Sequence, residues 1–304
     1  MRFAAAAVAL PLAVNGIRII QGNDDGWAEK NVRLLNDALN AAGHNVVLSC
    51  PATNESGRGS LDKDPENRTE ACEYNSCPAN TNTPSGSNST NPRLNWVNSY
   101  PVTAIRLGIS DFAPQFFANQ APELAVTGPN VGSNLDIQVP FSGTVGAAVY
   151  AVEQGIPALA FSGLSGDRTA WDAEPAPLAA QVYADLALNL TSAVVAAGAP
   201  YLPAGTFLNV NFGEVDAATC NAAAKFKFVL SRINVQVPLL SDPDVSLCGG
   251  DTELPREREV VDADGCWVSV SVGNASDKTT ASAEDQAVVL KKLQGLLSCL
   301  PDDD

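Results

Sequence analysis

The chain has 304 residues, is 45% hydrophobic, and carries 18 Lys and Arg against 34 Asp and Glu for a formal net charge of −16. That length and composition suit a globular core that folds without a structural metal. The charge repels polyanions, which excludes duplex nucleic acid and an acidic membrane surface as expected partners; a small phosphorylated substrate remains compatible, because a bound divalent cation can dominate the local field.

Residues 1–16 read as a signal peptide: Met1 and Arg2 give a basic start, Phe3 to Val14 are apolar, and Val14-Asn15-Gly16 offers short residues for cleavage. The apolar stretch falls short of the roughly 20 residues that span a bilayer. With no hydrophobic tail at the C-terminus, a secreted, extracellular protein is expected. Ile17 to Gln21 is a short β-branched run that suits a buried parallel strand. From Glu29, the spacing of Val32, Leu35, Ala38, Leu39 and Ala42 predicts a helix that Gly43 stops, and Asn45 to Ser49 predicts a second strand. This β-loop-α-β order opens a doubly wound α/β sheet, whose ligands bind at the carboxyl ends of the strands.

Residues 61–95 change to Asn, Ser, Thr, Pro and Glu, and are read as a polar surface insertion. Beyond it the chain predicts a helix after Pro101, a strand at Leu124 to Thr127, a Gly-rich loop from Gly128 to Asn134, a helix from Thr144 to Gln154 and a strand at Ala158 to Phe161. A long Ala-rich helix over Pro177 to Ala197 follows. Strands near Phe207 to Asn211, Phe226 to Leu230 and Trp267 to Val272, and a helix near Glu284 to Leu297, close the chain. Sequons at Asn54, Asn67, Asn88, Asn189 and Asn274 mark expected glycosylation sites. No cysteine pair has zinc-site spacing, so disulfides are expected. Cys72 and Cys77 can close a short loop, Cys220, Cys248, Cys266 and Cys299 share the C-terminal third, and Cys50 is left over.

The chemistry begins at Asn23-Asp24-Asp25-Gly26, after the first strand. Two adjacent carboxylates at a strand's carboxyl end repel each other, and a hard cation with oxygen ligands relieves that repulsion; a polar turn would use the same residues. Small hydrogen-bonding loops follow two other strands, at residues 51–60 and at Thr127 to Asn134. Phe141-Ser142-Gly143-Thr144 opens a helix whose amino-terminal amides can hold an anionic phosphoryl group.

In this order, Asn-Asp-Asp-Gly, Ser-Gly, Gly-x-Asn-x-Gly-x-Asn and Ser-Gly-Thr-Val-x-Ala-Ala resemble the SurE family of phosphatases over Ile17 to Gly163, with an echo at residues 207–211. The resemblance implies one domain over 17–304, a Rossmann-like doubly wound three-layer α/β/α core with a C-terminal extension of strands and a helix. It further implies a divalent-metal-dependent phosphomonoesterase of the 5′/3′-nucleotidase or acid phosphatase type, with one Mg²⁺ or Mn²⁺ per subunit and a C-terminal region that helps form dimers or tetramers, a homodimer being the expected partner state. Carried over by position, Asp24, Asp25, Ser56 and Asn130 are the metal ligands, and Asn134, Ser142, Gly143 and Thr144 cradle the phosphate. Either aspartate is then the group that orients or deprotonates the nucleophile. Gly22, Pro129 and Tyr100 depart from the family pattern, and the long insertion is similar to that of secreted fungal-type members.

The single histidine, His44, argues against phosphatases that need several, and it reads as a turn residue. A serine esterase built on Ser165 lacks nucleophile-elbow spacing. A non-catalytic secreted glycoprotein that binds a nucleotide or metal is the other alternative.

Overall fold

Strands that alternate apolar side chains between two covered faces need helices on both, and the computed structural model has that arrangement. It describes residues 16–236, 242–249 and 253–301, so the signal peptide assigned to 1–16 lies, but for Gly16, outside the described residues. The chain opens with β1 (Arg18–Gly22), α1 (Lys30–Ala41) and β2 (Asn45–Pro51), followed by β3 (Ser85–Ser87), β4 (Leu94–Val97), α2 (Pro101–Leu107) and the short α3 (Ala113–Phe116). Next come β5 (Leu124–Val131), α4 (Gly143–Glu153), β6 (Ala158–Gly163), α5 (Leu178–Ala196) and β7 (Thr206–Phe212). The C-terminal extension adds β8 (Lys227–Ser231), α6 (Glu257–Asp262), β9 (Trp267–Asn274), α7 (Ala283–Leu293) and β10 (Leu297–Ser298).

The strands form one sheet in the order β10-β8-β9-β7-β6-β5-β1-β2-β4-β3. It is parallel except where β7 meets β9 and β3 meets β4. Period-2 alternation sends Ile19, Val46, Leu124, Val126, Leu159 and Phe161 into the core under α1 and α5, while Ile20, Val47, Ala125 and Ala160 face α2 and α4. The small alanines on the second face let α4 lie close to the sheet. From β1 the chain first builds outward through β2 and β4, then returns to place β5 on the other side of β1. The strand order therefore reverses between β1 and β5, and their carboxyl ends border the crevice where ligands bind in such sheets.

Several elements differ from expectation. β5 does not stop at Thr127: it runs through a cis Gly128–Pro129 bond, shifts register against β6, and ends at Val131. The extra length carries Asn130 on the strand rather than on a free loop. The insertion is not wholly surface. Leu94 starts a strand that pairs in parallel with β2, and Cys72, Cys77 and Leu94 are buried with Trp27, Leu48 and Trp96 in a separate apolar cluster. The alternation of Leu94 and Trp96 within an Asn-rich stretch is the signal that composition masked. Helix α5 is long and apolar enough to cross a membrane by composition, yet it is a core helix packed on the sheet beside α1. Disulfides join Cys72 to Cys77, Cys220 to Cys266 and Cys248 to Cys299, and Cys50 is left as a buried free thiol.

Candidate active site

Asp24 and Asp25 sit in the turn after β1, only 2% and 1% exposed. Gly26 shapes that turn at φ +119°, a left-handed conformation that favours glycine, and its amide donates to Asn23 Oδ1 at 3.1 Å. The peptide is tied to its neighbours by Trp27 N donating to Pro51 O at 2.9 Å and Glu55 N donating to Asp24 O at 2.7 Å. The Asp24 peptide thereby fixes the loop after β2 that carries Ser56.

Thr144, fully buried in the first turn of α4, donates its hydroxyl to Asp24 Oδ1 at 2.5 Å, and the same hydroxyl stands 3.5 Å from Asn130 Oδ1. Asn130 is oriented by its amide, which donates to Gly132 O at 2.7 Å. Asp25 Oδ2 accepts from Val131 N at 2.8 Å. Gly143 is required by proximity: a Cβ there would lie 2.8 Å from Asp24 Cβ and 2.8 Å from Pro101 Cγ. Asp24, Ser56, Asn130, Asn134 and Ser142 line one open cavity of about 400 Å³. A larger apolar cavity of about 660 Å³ lies at the amino ends of β5 and β6, far from these groups.

Burial pushes the Asp24 carboxyl up, against the opposing pull of Thr144 and the amides at the start of α4. Asp25 is pushed up further, first by burial and then by the charge of Asp24, with the Val131 amide and the Arg168 charge opposing. Neither aspartate has an ion-pair partner among the described residues. Two buried carboxylates without a matching cation, next to an amide oxygen and a hydroxyl, make an all-oxygen donor set that fits a hard divalent ion. The chain holds no group of three or more His, Cys, Asp or Glu suited to a metal among the described residues, so the set depends on its neutral oxygens.

The expected phosphate-binding residues divide. Asn134 gives one amide hydrogen to Ser162 Oγ at 2.7 Å and its backbone N–H to Asn211 Oδ1 at 2.8 Å. Ser142 Oγ caps α4 by accepting from Val145 N at 3.1 Å, which leaves the hydroxyl hydrogen free. Thr144 commits its hydroxyl to Asp24 and is not among the residues that line the cavity. Ser56 lies at the exposed rim, its hydroxyl donating to Asn54 Oδ1 at 2.7 Å. Of the sequon asparagines, Asn67 and Asn189 are exposed, whereas Asn54, Asn88 and Asn274 are half-buried.

Two neighbourhoods escaped the sequence reading. Behind Asn134, its carbonyl accepts from Asn209 Nδ2 at 2.8 Å and Asn211 Nδ2 at 3.1 Å, and Asn209 also donates to Glu257 Oε1 at 2.6 Å. Glu257 comes from α6, and burial raises its carboxyl to about 8. The paired asparagines of Phe207-Leu208-Asn209-Val210-Asn211 were the available signal; the buried glutamate had none. Beside Asp25, the loop closed by Cys72 and Cys77 brings Glu73 against Gly26, Ser76 Oγ within 2.8 Å of Trp27 Nε1, and Tyr74 OH within 3.2 Å of Glu29 Oε2. Arg168 reaches Glu73 at 3.1 Å.

Comparison with known proteins gives the family and the fold. The family model for Survival protein SurE matches residues 19–234. An acid phosphatase from Yarrowia lipolytica is 30% identical over 310 residues, covering 93% of this chain and 86% of that protein. A 5′-nucleotidase SurE from Gloeobacter violaceus is 32% identical over 230 residues, covering 75% of this chain and 76% of that protein. In fold, the crystal structure of a SurE protein from Aquifex aeolicus superimposes with a TM-score of 0.60 at 20% identity, covering 91% of this chain and 99% of that one.

Proposed function

Since the chain belongs to the SurE family, we propose that it is a divalent-cation-dependent phosphomonoesterase that hydrolyses nucleoside monophosphates or related phosphate monoesters at Asp24 and Asp25. Its relatives' names, acid phosphatase and 5′-nucleotidase, both denote hydrolysis of phosphoric monoesters. One observation carries the reading: the buried oxygens of Asp24 and Asn130 meet at a single Thr144 hydroxyl, beside a second buried carboxylate.

Asp24, Asp25, Asn130 and Ser56 would hold the cation, Mg²⁺ or Mn²⁺ by the hardness of the donors. When bound, it supplies positive charge to the phosphoryl oxygens, where charge neutralisation and positioning are most of the catalysis. The chain's own groups do the rest. Ser142 has a free hydroxyl hydrogen and Asn134 a free amide hydrogen for a phosphoryl oxygen, both on a backbone held by the cap of α4 and by Asn209 and Asn211. Asp25 Oδ1 accepts no hydrogen bond from a described residue, which leaves it free to orient the attacking water.

Export and glycosylation complete the proposal. Three disulfides suit an oxidising compartment, which supports the secretory reading of residues 1–16 and of the sequons. Among the described residues, the chain's one histidine does not serve Ser165 as a base. Ser165 Oγ accepts from Val215 N at 2.8 Å, while His44 accepts from Ile17 N at the amino end of β2, away from the carboxyl-end site. Phosphate release from 5′-AMP and ester release from p-nitrophenyl acetate, with and without chelator, test the reading. Chelator-sensitive phosphate release is expected; chelator-resistant acetate release without phosphate release would refute it.

A further inference from the structure

The two most exposed large apolar side chains among the described residues are Ile137, at 84%, and Phe141, at 68%. Both line the cavity that holds Asp24 and Asn130. They belong to a single 3-10 turn, Asp136–Phe141, that ends at the cap of α4. Large apolar groups left in water at a cavity mouth lose the stabilisation that burial would bring, so their placement points to an apolar group that covers them.

The turn that presents them is rigid. Gly59 N donates to Phe141 O at 2.9 Å, and Ser142 N donates to Gln138 O at 3.1 Å. Gln138 Oε1 in turn accepts from Leu135 N at 2.9 Å and Ser133 Oγ at 3.2 Å. Val139, between the two exposed residues, is fully buried in the core under α4. A platform fixed in this way gives up little conformational freedom when a ring settles on it. Across the cavity, the wall at Ser56 and Gly57 is polar or bare.

We infer that Ile137 and Phe141 form the leaving-group subsite and select phosphate monoesters whose alcohol carries a planar aromatic ring over small aliphatic ones. The inference rests on the phosphomonoesterase reading above. The phosphate end is held by Asn134 and Ser142, and continuity of the cavity from Ser142 to Phe141 places the ester's organic part against the apolar pair. A nucleobase and a simple aryl ring share the chemistry that stacks on Phe141.

The test compares kcat/KM for 5′-AMP, p-nitrophenyl phosphate and glycerol 2-phosphate in the parent, Phe141→Ala, Phe141→Trp and Ile137→Ser proteins. Removing a base-stacking aromatic typically lowers affinity by roughly tenfold, so Phe141→Ala should lower the ratio of aromatic to glycerol substrate by about that factor, mainly through KM. Phe141→Trp should restore the ratio, and competitive inhibition by adenosine, which has no phosphate, should weaken in step with Phe141→Ala. Ratios unmoved by Phe141→Ala and Ile137→Ser would overturn the inference while leaving the phosphatase reading intact, as would a change in oligomeric state without a change in the ratios. A parent that hydrolyses none of the three substrates would overturn both.

Discussion

Thr144→Val isolates the contact that organises the site. Valine matches threonine in volume and β-branching, so the core under α4 stays filled, while the hydroxyl that donates to Asp24 Oδ1 at 2.5 Å is lost. A hydrogen bond to a charged group contributes about 1.5–3 kcal/mol. The amides at the start of α4 continue to support Asp24, so the lower half of that range applies. A loss of about 2 kcal/mol corresponds to a factor of roughly 30, within the 10–100-fold in metal affinity that outer-shell partners typically supply. Calorimetric titration of the chelated protein with Mn²⁺ measures it directly, with Thr144→Ser as the variant that restores the donor. Parental Mn²⁺ affinity in Thr144→Val, or equal weakening in Thr144→Ser, would refute the assignment of Thr144 to orienting Asp24.

The chelated protein should lose stability as pH rises. Burial holds Glu257 at about 8 and Glu29 at about 7, both above an ordinary glutamate, so between about 4.5 and those values the folded state keeps protons that the unfolded chain has released. The stabilisation is complete below about 4.5 and disappears through about 8, with a slope near 1.4 kcal/mol per pH unit for each proton. Urea unfolding from pH 4 to 8 should show the decline, and Glu257→Gln should flatten it; a parallel decline in parent and variant would contradict the burial argument. For the insertion, excising 61–95 should prevent folding, because Cys72, Cys77 and Leu94 help bury Trp27 and Leu94 begins β4. Circular dichroism and a cooperative thermal transition in such a deletion would show that this cluster is dispensable. Opening the loop alone by Cys72→Ser should cost about 2 kcal/mol of stability by loop entropy, read as a lower urea midpoint.

Much of the framework is local and therefore legible. β-Branched runs such as Val46 and Val47 or Val268 and Val270 and helical spacing from Val32 to Leu39 follow from short-range rules, whereas the Asp24, Ser56, Asn130 and Ser142 segments stand out only through their ordered resemblance to the SurE pattern. Gly128 and Pro129 predict a loop because such pairs usually break a strand, whereas β5 continues through them to Val131 and carries Asn130. The role of Thr144 depends on how closely α4 approaches β1, which no local pattern encodes. Glu257 looks like surface charge in Glu257-Arg258-Glu259, and only packing against Asn209 makes it a buried brace behind Asn134. Exposure of Ile137 and Phe141 runs against the rule that large apolar residues lie inside, so it too appears only once the fold is known.

The central claim is tested most directly by phosphate release from 5′-AMP by chelated protein as Mg²⁺ or Mn²⁺ is restored, with Asp25→Asn measured alongside the parent. Asparagine keeps the shape at Asp25 and one oxygen for Val131 N, but removes one of the two carboxylate charges. Removing about 4 kcal/mol of transition-state stabilisation corresponds to roughly a thousandfold in rate. The account predicts negligible release after chelation, recovery on adding either ion to the parent, and a loss of about that size in a folded Asp25→Asn protein. Undiminished release after thorough chelation, or parental activity in folded Asp25→Asn, would contradict it.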